Sequence, residues 1–140
     1  MIRRQLNIGR WEVDFLFAPD GYDREEVLSM LSDLGAARKD GKRIEVVIDN
    51  RELNTGFTFV SPYEPVILVA VGPASSGEQF VNTIAHELYH LATAIADGLG
   101  IDLRGEEPAY LIGDTIQPLV DIVCKLGCPH CNSDTAFVKK

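Results

Sequence analysis

The feature that most constrains the fold is a long amphipathic segment in the second half of the chain. Apolar residues recur along "SSGEQFVNTIAHELYHLATAIADGLG" at steps of four, four, three and four positions, at Phe80, Ile84, Leu88, Leu91 and Ile95. This is the period of a helix with one apolar face. Ser75 stands three residues before Glu78, a capping-box spacing, and Gly98 and Gly100 follow the last apolar residue. The pattern predicts a helix from about residue 77 to residue 97, packed by one face against a core.

Shorter patterns elsewhere predict four strands and two further helices. Apolar residues alternate in "WEVDFLF", "KRIEVVID" and "TGFTFVS", and "PVILVAVG" is apolar on both faces, so each stretch is predicted to be a strand. A first helix is predicted to begin near Asp23 and to end at Gly35. A last helix is predicted in "EEPAYLIGDTIQPLVDIVCKLG", kinked or split at Pro118. This order of elements predicts an α+β domain, with a mainly antiparallel four-stranded sheet covered by helices.

Length and charge exclude several classes of partner. A chain of 140 residues is the size of one domain, and its formal net charge of −8 repels phosphate backbones, so no nucleic-acid partner is expected. The apolar runs are far shorter than the ~20 residues of a membrane span, so no membrane partner is expected either. The start, "MIRRQLNIGRW", lacks the apolar region of a secretory signal. The expected location is the cytoplasm.

Inside the long helix, the stretch His86-Glu87-Leu88-Tyr89-His90 has the spacing of a metal-dependent hydrolytic centre. His86 and His90 are four residues apart, so both project from one face of the helix, about one turn from each other. Neutral imidazole nitrogen is a preferred zinc ligand, and zinc lowers the pKa of bound water towards ~7. Glu87, beside the first histidine, is therefore predicted to be the general base that accepts a proton from that water.

A catalytic zinc ion normally has three protein ligands and a water molecule, so this motif needs one ligand more. The stretch "GEEPAYLIGD" follows the long helix after a glycine-containing turn, and a helix hairpin of that length can bring Glu106 or Glu107 back against the histidines. Adjacent residues of a helix point ~100° apart, so only one of these glutamates can face the ion. From the residues alone, the choice between them stays open.

The H-E-x-x-H stretch and the run Glu106-Glu107-Pro108-Ala109 together resemble the gluzincin metallopeptidases, in particular the minimal gluzincin-like proteins found as uncharacterised metallopeptidases in bacterial and phage genomes. In gluzincins a glutamate that opens an E-x-x-A pattern on the next helix ligates the zinc. The resemblance therefore implies Glu106 as the third ligand, with Glu107 as the alternative. It also implies a small zincin-like catalytic domain over residues 1–127, in which an active-site helix and a glutamate helix cover the sheet.

The same resemblance implies an edge strand above the active-site helix that pairs with an extended peptide substrate, supplied here by "GFTFV" or by "VILVAVG". In contrast to larger gluzincins, no separate C-terminal subdomain is expected. The chain also has Tyr110 where some relatives have an aspartate that orients a ligating histidine. Tyr110 is predicted to orient a histidine or to steady an oxyanion through its hydroxyl, or else to pack its ring in the core.

All three cysteines lie near the C-terminus, in "CKLGCPHCNSDTAFVKK". Cys128 and Cys131 have the spacing of a zinc knuckle, and Cys124 and His130 are the candidates for the remaining ligands of a second, structural zinc ion. Residues 128–140 are accordingly taken as a C-terminal tail that is separate from the catalytic domain. The alternative is a tail with free thiols.

Two functions fit these patterns. The first is a zinc-dependent metallopeptidase that cleaves a peptide or protein substrate with Glu87 as base. The second is a non-catalytic binding or regulatory module in which zinc serves as a structural clamp, because zinc binding by itself contributes folding energy. Glu87 favours hydrolysis, since a purely structural site has no use for a carboxylate beside its first histidine.

Overall fold

The structure, a computed structural model, describes residues 1–49 and 52–127. The strands are β1 (Ile2–Ile8), β2 (Trp11–Phe17), β3 (Gly56–Val60) and β4 (Val66–Val71). The helices are α1 (Arg24–Asp33), α2 (Arg38–Ile48), α3 (Gly77–Leu99), α4 (Glu106–Ile116) and α5 (Val120–Gly127). Short 3-10 turns precede α1 at Gly21–Asp23 and α5 at Gln117–Leu119. The domain is therefore of mixed α and β composition, as predicted.

The four strands form one mixed sheet in the order β1-β2-β4-β3. The outer pairs β1–β2 and β3–β4 are antiparallel, but the central strands β2 and β4 are parallel, with Phe15 opposite Val69. The parallel pair arises because α1, α2 and β3 all lie between β2 and β4 in the chain, so the chain crosses over before β4. The expectation of a mainly antiparallel sheet is corrected on this point. β3 and β1 are the two edges, and β4 is an interior strand.

One predicted strand is a helix. The stretch "KRIEVVID" lies in α2, which buries Ile44, Val47 and Ile48 and leaves Val46 38% exposed. The strand prediction was wrong because Ile44, Val46 and Ile48 also alternate, and because β-branched residues favour strands. The spacing that the protein uses is i, i+3, i+4, which is the helical one. Asp40 supports the start of α2 by accepting a hydrogen bond from the backbone N–H of Ala37 at 2.9 Å.

The fourth strand of the sheet is β1, which the sequence patterns did not predict. Its side chains alternate between half-buried and exposed, with Ile2, Leu6 and Ile8 packed against the core. Gly9 has a φ of +59°, a left-handed conformation that suits glycine, in the tight turn that pairs Ile8 with Trp11. "QLNIGRW" is therefore the middle of a hairpin and not the lead-in to a single strand.

Helices cover both faces of the sheet. Alternate residues of β2 and β4, among them Val13 and Val69, form one core with α3, α4 and α5. The residues between them, with Phe57 and Phe59 of β3, form a second core with α1 and α2. The near-continuous burial of β2 and β4 follows from this two-sided covering. The result is a three-layer arrangement in which α3 lies against the sheet on one side only.

The long helix agrees with its prediction in extent, but its N-cap is Ser76 and not Ser75. It begins after Ser76, whose hydroxyl accepts a hydrogen bond from the N–H of Gln79 at 3.2 Å, and it ends at Gly100 with a φ of +70°. The last predicted helix is split at Pro118 into α4 and α5, as expected. Within the described ranges, none of the helices is both long and apolar enough to pass through a membrane.

Two neighbouring valines test the helical assignment of α2. Val47→Ala is expected to lower the free energy of unfolding by about 2 kcal/mol, because Val47 is only 2% exposed in the core beneath α2. Val46→Ala is expected to change it by less than about 0.5 kcal/mol, since Val46 is largely in solvent. Urea denaturation of the two variants measures both values. The reverse order would mean that this stretch is a strand.

Candidate metal centre

The two histidines lie together on the exposed face of α3. Because His86 and His90 are one helical turn apart, their rings approach each other, and the Nε2 atoms are 3.1 Å apart. The ring centroids are separated by 4.7 Å, and the rings meet edge to face. On the opposite face of the same turns, Ile84, Leu88 and Leu91 are buried in the core. The helix is thereby fixed against the sheet, and so are the directions of the two imidazoles.

Glu87 points from α3 towards the edge strand β3 and is only 3% exposed. Its Oε1 accepts a long hydrogen bond, 3.5 Å, from the hydroxyl of Thr58 on β3. Its Oε2 is buried and has no hydrogen-bond partner in the described protein. Burial raises the pKa of Glu87, and the opposing effects are smaller: the charges of His90 and His86, the hydrogen bond from Thr58, and the charge of Arg43. A buried carboxylate oxygen without a partner is uncommon in folded proteins, and a catalytic role or a bound ion is one explanation for it.

The side chain of Glu87 lies directly against the backbone of Gly56. A Cβ atom placed on Gly56 would be 2.6 Å from Cγ, 2.9 Å from Cδ and 3.0 Å from Oε2 of Glu87. The backbone of Gly56 is not in the left-handed region, so conformation does not require a glycine here. What requires it is the close approach of the carboxylate. The first residue of β3 therefore makes room for Glu87.

Two open cavities flank this carboxylate along β3. One, of about 250 Å³, is lined by Asn54, Thr55, Gly56, Asn82, Thr83 and His86. The other, of about 220 Å³, is lined by Arg43, Thr58, Val60, Glu87 and His90. Both cavities lie between α3 and β3, and we call the two together the groove; His86 lines the first cavity and His90 lines the second. Of the two stretches considered for the edge above the active helix, "GFTFV" is the edge strand, whereas "VILVAV" pairs on both sides.

The donors gathered here fit a metal ion. One ligand atom from each of His86, Glu87 and His90 lies within 4.8 Å of the others. In a tetrahedral zinc site with bonds of ~2.0–2.1 Å, two nitrogen ligands are ~3.3 Å apart. The Nε2 separation of 3.1 Å is close to that value. Among residues 1–49 and 52–127, no other group of three or more His, Cys, Asp or Glu side chains is gathered in this way.

The predicted third ligand is not part of this group. Glu106 and Glu107 are exposed residues in the first turn of α4, which begins after Gly105. Neither of their carboxylates belongs to the set of atoms within 4.8 Å of one another. Pro108, next in the helix, is buried, so the N-terminal turn of α4 is fixed to the body of the domain. Glu106 as a ligand, with Glu107 as the alternative, stays a prediction.

The remaining predicted residues fall in different places. Tyr110 is 66% exposed on α4, so its ring does not pack in the core. Cys124 lies in α5 as a partly buried free thiol. Cys128, His130 and Cys131 lie outside the described residues, so the second zinc site stays a prediction. Gly56, Thr58 and Arg43 were not recognised from the sequence, and only the position of Gly56 at the start of a strand pattern gave a hint.

Comparisons with known proteins identify no family for this chain. No protein-family model, no curated protein and no solved structure matches it. The resemblance to gluzincins therefore stays a prediction from two short motifs. What the site can do follows from its own geometry.

The contact between Gly56 and Glu87 can be tested by a double-mutant cycle. Gly56→Ala is expected to lower the free energy of unfolding by about 1–3 kcal/mol, because the added methyl group forces Glu87 or β3 to shift. In a Glu87→Ala background the contacting atoms are gone, and the same change is expected to cost little. Urea denaturation of the four proteins gives the coupling energy. Equal costs in both backgrounds would show that Glu87 is not the reason for the glycine.

Proposed function

We propose that the protein is a zinc-dependent metallopeptidase with His86 and His90 as metal ligands and Glu87 as general base. The observation that carries the proposal is the buried carboxylate of Glu87, which lies beside two convergent imidazoles and has one oxygen without a partner among the described residues. A carboxylate kept in this position at a cost to folding suits a group that handles protons during a reaction. The proposed domain is a small zincin-like one, built from α3, α4 and the sheet edge at β3.

The chemistry that a bound zinc ion supplies is Lewis-acid activation of a water molecule and of the scissile carbonyl. Glu87 is the only acid in the gathered group, and it lies between the histidines and β3. In the proposed reaction its carboxylate takes a proton from the attacking water and later delivers that proton to the leaving amine. The hydroxyl of Thr58 donates to Oε1 of Glu87, so this oxygen has a partner on β3, whereas Oε2 has none among the described residues.

The substrate is proposed to bind as an extended peptide along β3. Among the described residues, no strand pairs with the outer side of β3, so that side is proposed to accept the peptide. Each of the two cavities beside this strand is lined by one of the histidines. A peptide added at this edge passes beside Glu87 near the middle of the strand. This arrangement brings a backbone carbonyl to the catalytic group without a deep pocket.

Glu106 is proposed as the third ligand, with Glu107 as the alternative. The two glutamates open α4, which follows α3 after a short loop and packs on the same side of the sheet through Leu111 and Ile112. Glu106 and Glu107 are both exposed, so the side chain of either glutamate can change rotamer without loss of packing. The E-x-x-A pattern favours Glu106.

The cluster of His86, Glu87 and His90 also supports a second function. Its third member is Glu87 itself, so an ion held by His86, Glu87 and His90 together would leave no free base. The site would then be a structural clamp in a binding or regulatory module. The two proposals differ in what happens to the metal when Glu87 is changed.

The substitution Glu87→Gln separates these functions. If Glu87 is the base, the variant is expected to keep one zinc ion at this site and to lose about 10²- to 10⁴-fold in peptide cleavage. Zinc is measured by mass spectrometry, and cleavage is measured on a peptide library. Glu78→Gln, an exposed glutamate on the first turn of the same helix, is the matched control and is expected to change neither quantity. Loss of zinc from Glu87→Gln would favour the clamp, and unchanged cleavage would remove Glu87 as base.

The third ligand is tested by comparing two adjacent variants. Glu106→Gln is expected to weaken zinc binding by more than the ~10- to 100-fold that loss of a supporting partner costs, because a direct ligand is removed. Glu107→Gln is expected to leave zinc affinity nearly unchanged. Competition with a chelator of known affinity measures both. The opposite order would assign Glu107, and no effect in either variant would remove the glutamate helix from the metal site.

A further inference from the structure

Arg43 reaches the candidate site from the opposite side of the sheet. It lies on α2, which packs against the face of the sheet that α3 does not cover. Its guanidinium carbon is 4.9 Å from the centroid of the Phe57 ring, on the α2 side of β3. Yet Arg43 also lines the 220 Å³ cavity with Thr58, Val60, Glu87 and His90, which lie on the α3 side. Arg43 therefore lies at the outer edge of β3, where it contacts Phe57 on one face of the strand and the cavity on the other.

The charge of Arg43 is not neutralised by an ion pair. In the part of the chain that the structure describes, ion pairs within 4.0 Å involve Arg3, Arg4, Arg24 and the N-terminal amine, and Arg43 is in none of them. The residue is exposed, and its guanidinium rests on the ring of Phe57. A guanidinium held over an aromatic ring is oriented in advance, so it loses less freedom when it binds a carboxylate.

We propose that Arg43 makes this cavity a subsite for an acidic side chain of the substrate, next to the bond that is cleaved. The inference rests on the proposed function, since it takes the substrate to be a peptide added along β3. Side chains of an added strand alternate between the two faces, and one that points towards Val60 and His90 enters the cavity beside the guanidinium. The planar guanidinium binds a carboxylate through two parallel hydrogen bonds.

Because the protein is negatively charged overall, the positive charge of Arg43 indicates a particular class of substrate. A formal net charge of −8 repels acidic peptides in general, so an acidic residue is accepted only where a positive group meets it. Arg43 is the only cationic side chain that lines either described cavity of the groove, apart from the histidines. The substrate class inferred is therefore a peptide with Asp or Glu at a single position beside the cleaved bond.

The test is a position-scanned peptide library in which Asp, Glu, Asn and Gln are compared at each position. Wild type is expected to prefer the acid at one position next to the cleaved bond by about fivefold, the size of a partly exposed ion pair. Arg43→Gln is expected to lose that preference, so that the variant cleaves the acidic and the neutral peptide of each pair at the same rate. Arg43→Glu is expected to prefer Lys or Arg at the same position. Arg38→Gln, an exposed arginine of the same helix outside both cavities, is the matched control and is expected to behave as wild type.

A binding measurement separates this inference from the proposed function. Fluorescence anisotropy of acidic and neutral peptides is measured on Glu87→Gln and on Glu87→Gln with Arg43→Gln. One outcome is that wild type cleaves no peptide, but the acidic peptide binds more tightly than the neutral one and does so only when Arg43 is present. In that case the subsite stands and the hydrolytic function fails. If cleavage is present without an acid preference, or Arg43→Gln keeps the preference, the subsite is overturned and the hydrolytic function stands. Aggregation of Arg43→Gln with an unchanged preference would make Arg43 a guard of the edge strand and would also overturn the subsite.

Discussion

The approach of the Glu87 carboxylate to the backbone of Gly56 is the contact on which the candidate site depends. It brings the carboxyl group of Glu87 to 3% exposure beside an edge strand and leaves one of its oxygens without a partner in the part of the chain that the structure describes. An unpaired buried polar group costs about 1–3 kcal/mol, so other parts of the domain must offset it. The apolar contacts of α3 with β2 and β4 do this, because they hold the helix in place on both sides of Glu87.

This arrangement assigns separate tasks to the faces of one helix. Leu88 and Leu91 fix α3 to the core, His86 and His90 project into solvent, and Glu87 lies at the boundary between these faces, against β3. Since neighbouring helical residues point ~100° apart, an acid directly after a histidine can be buried while that histidine stays accessible. The sequence order of the motif thus places two exposed imidazoles and one buried carboxylate within 4.8 Å of one another.

The sequence predicts best those features that depend on residues close together in the chain. The long helix and the convergence of its histidines follow from periodicity and are present in the structure. The stretch at Ile44 fits both a strand and a helix, and only packing against Phe57 and Leu68 decides for the helix. Thr58 and Glu87 are 29 residues apart, so no local pattern could have paired them. Glu106 has the expected spacing, but spacing does not fix the rotamer of an exposed side chain.

A sheet edge that must accept a substrate cannot be protected in the usual permanent ways. A proline, a bulge or a covering helix on β3 would prevent unwanted pairing, but it would also prevent the pairing that the proposed reaction needs. The edge is instead short, and an arginine from the other side of the sheet lies across it, on the ring of Phe57. The charge of Arg43 discourages pairing with another sheet edge, because that pairing would bury the guanidinium without a partner. On this account, Arg43 keeps the edge soluble when the groove is empty and supplies the ion pair when an acidic peptide arrives.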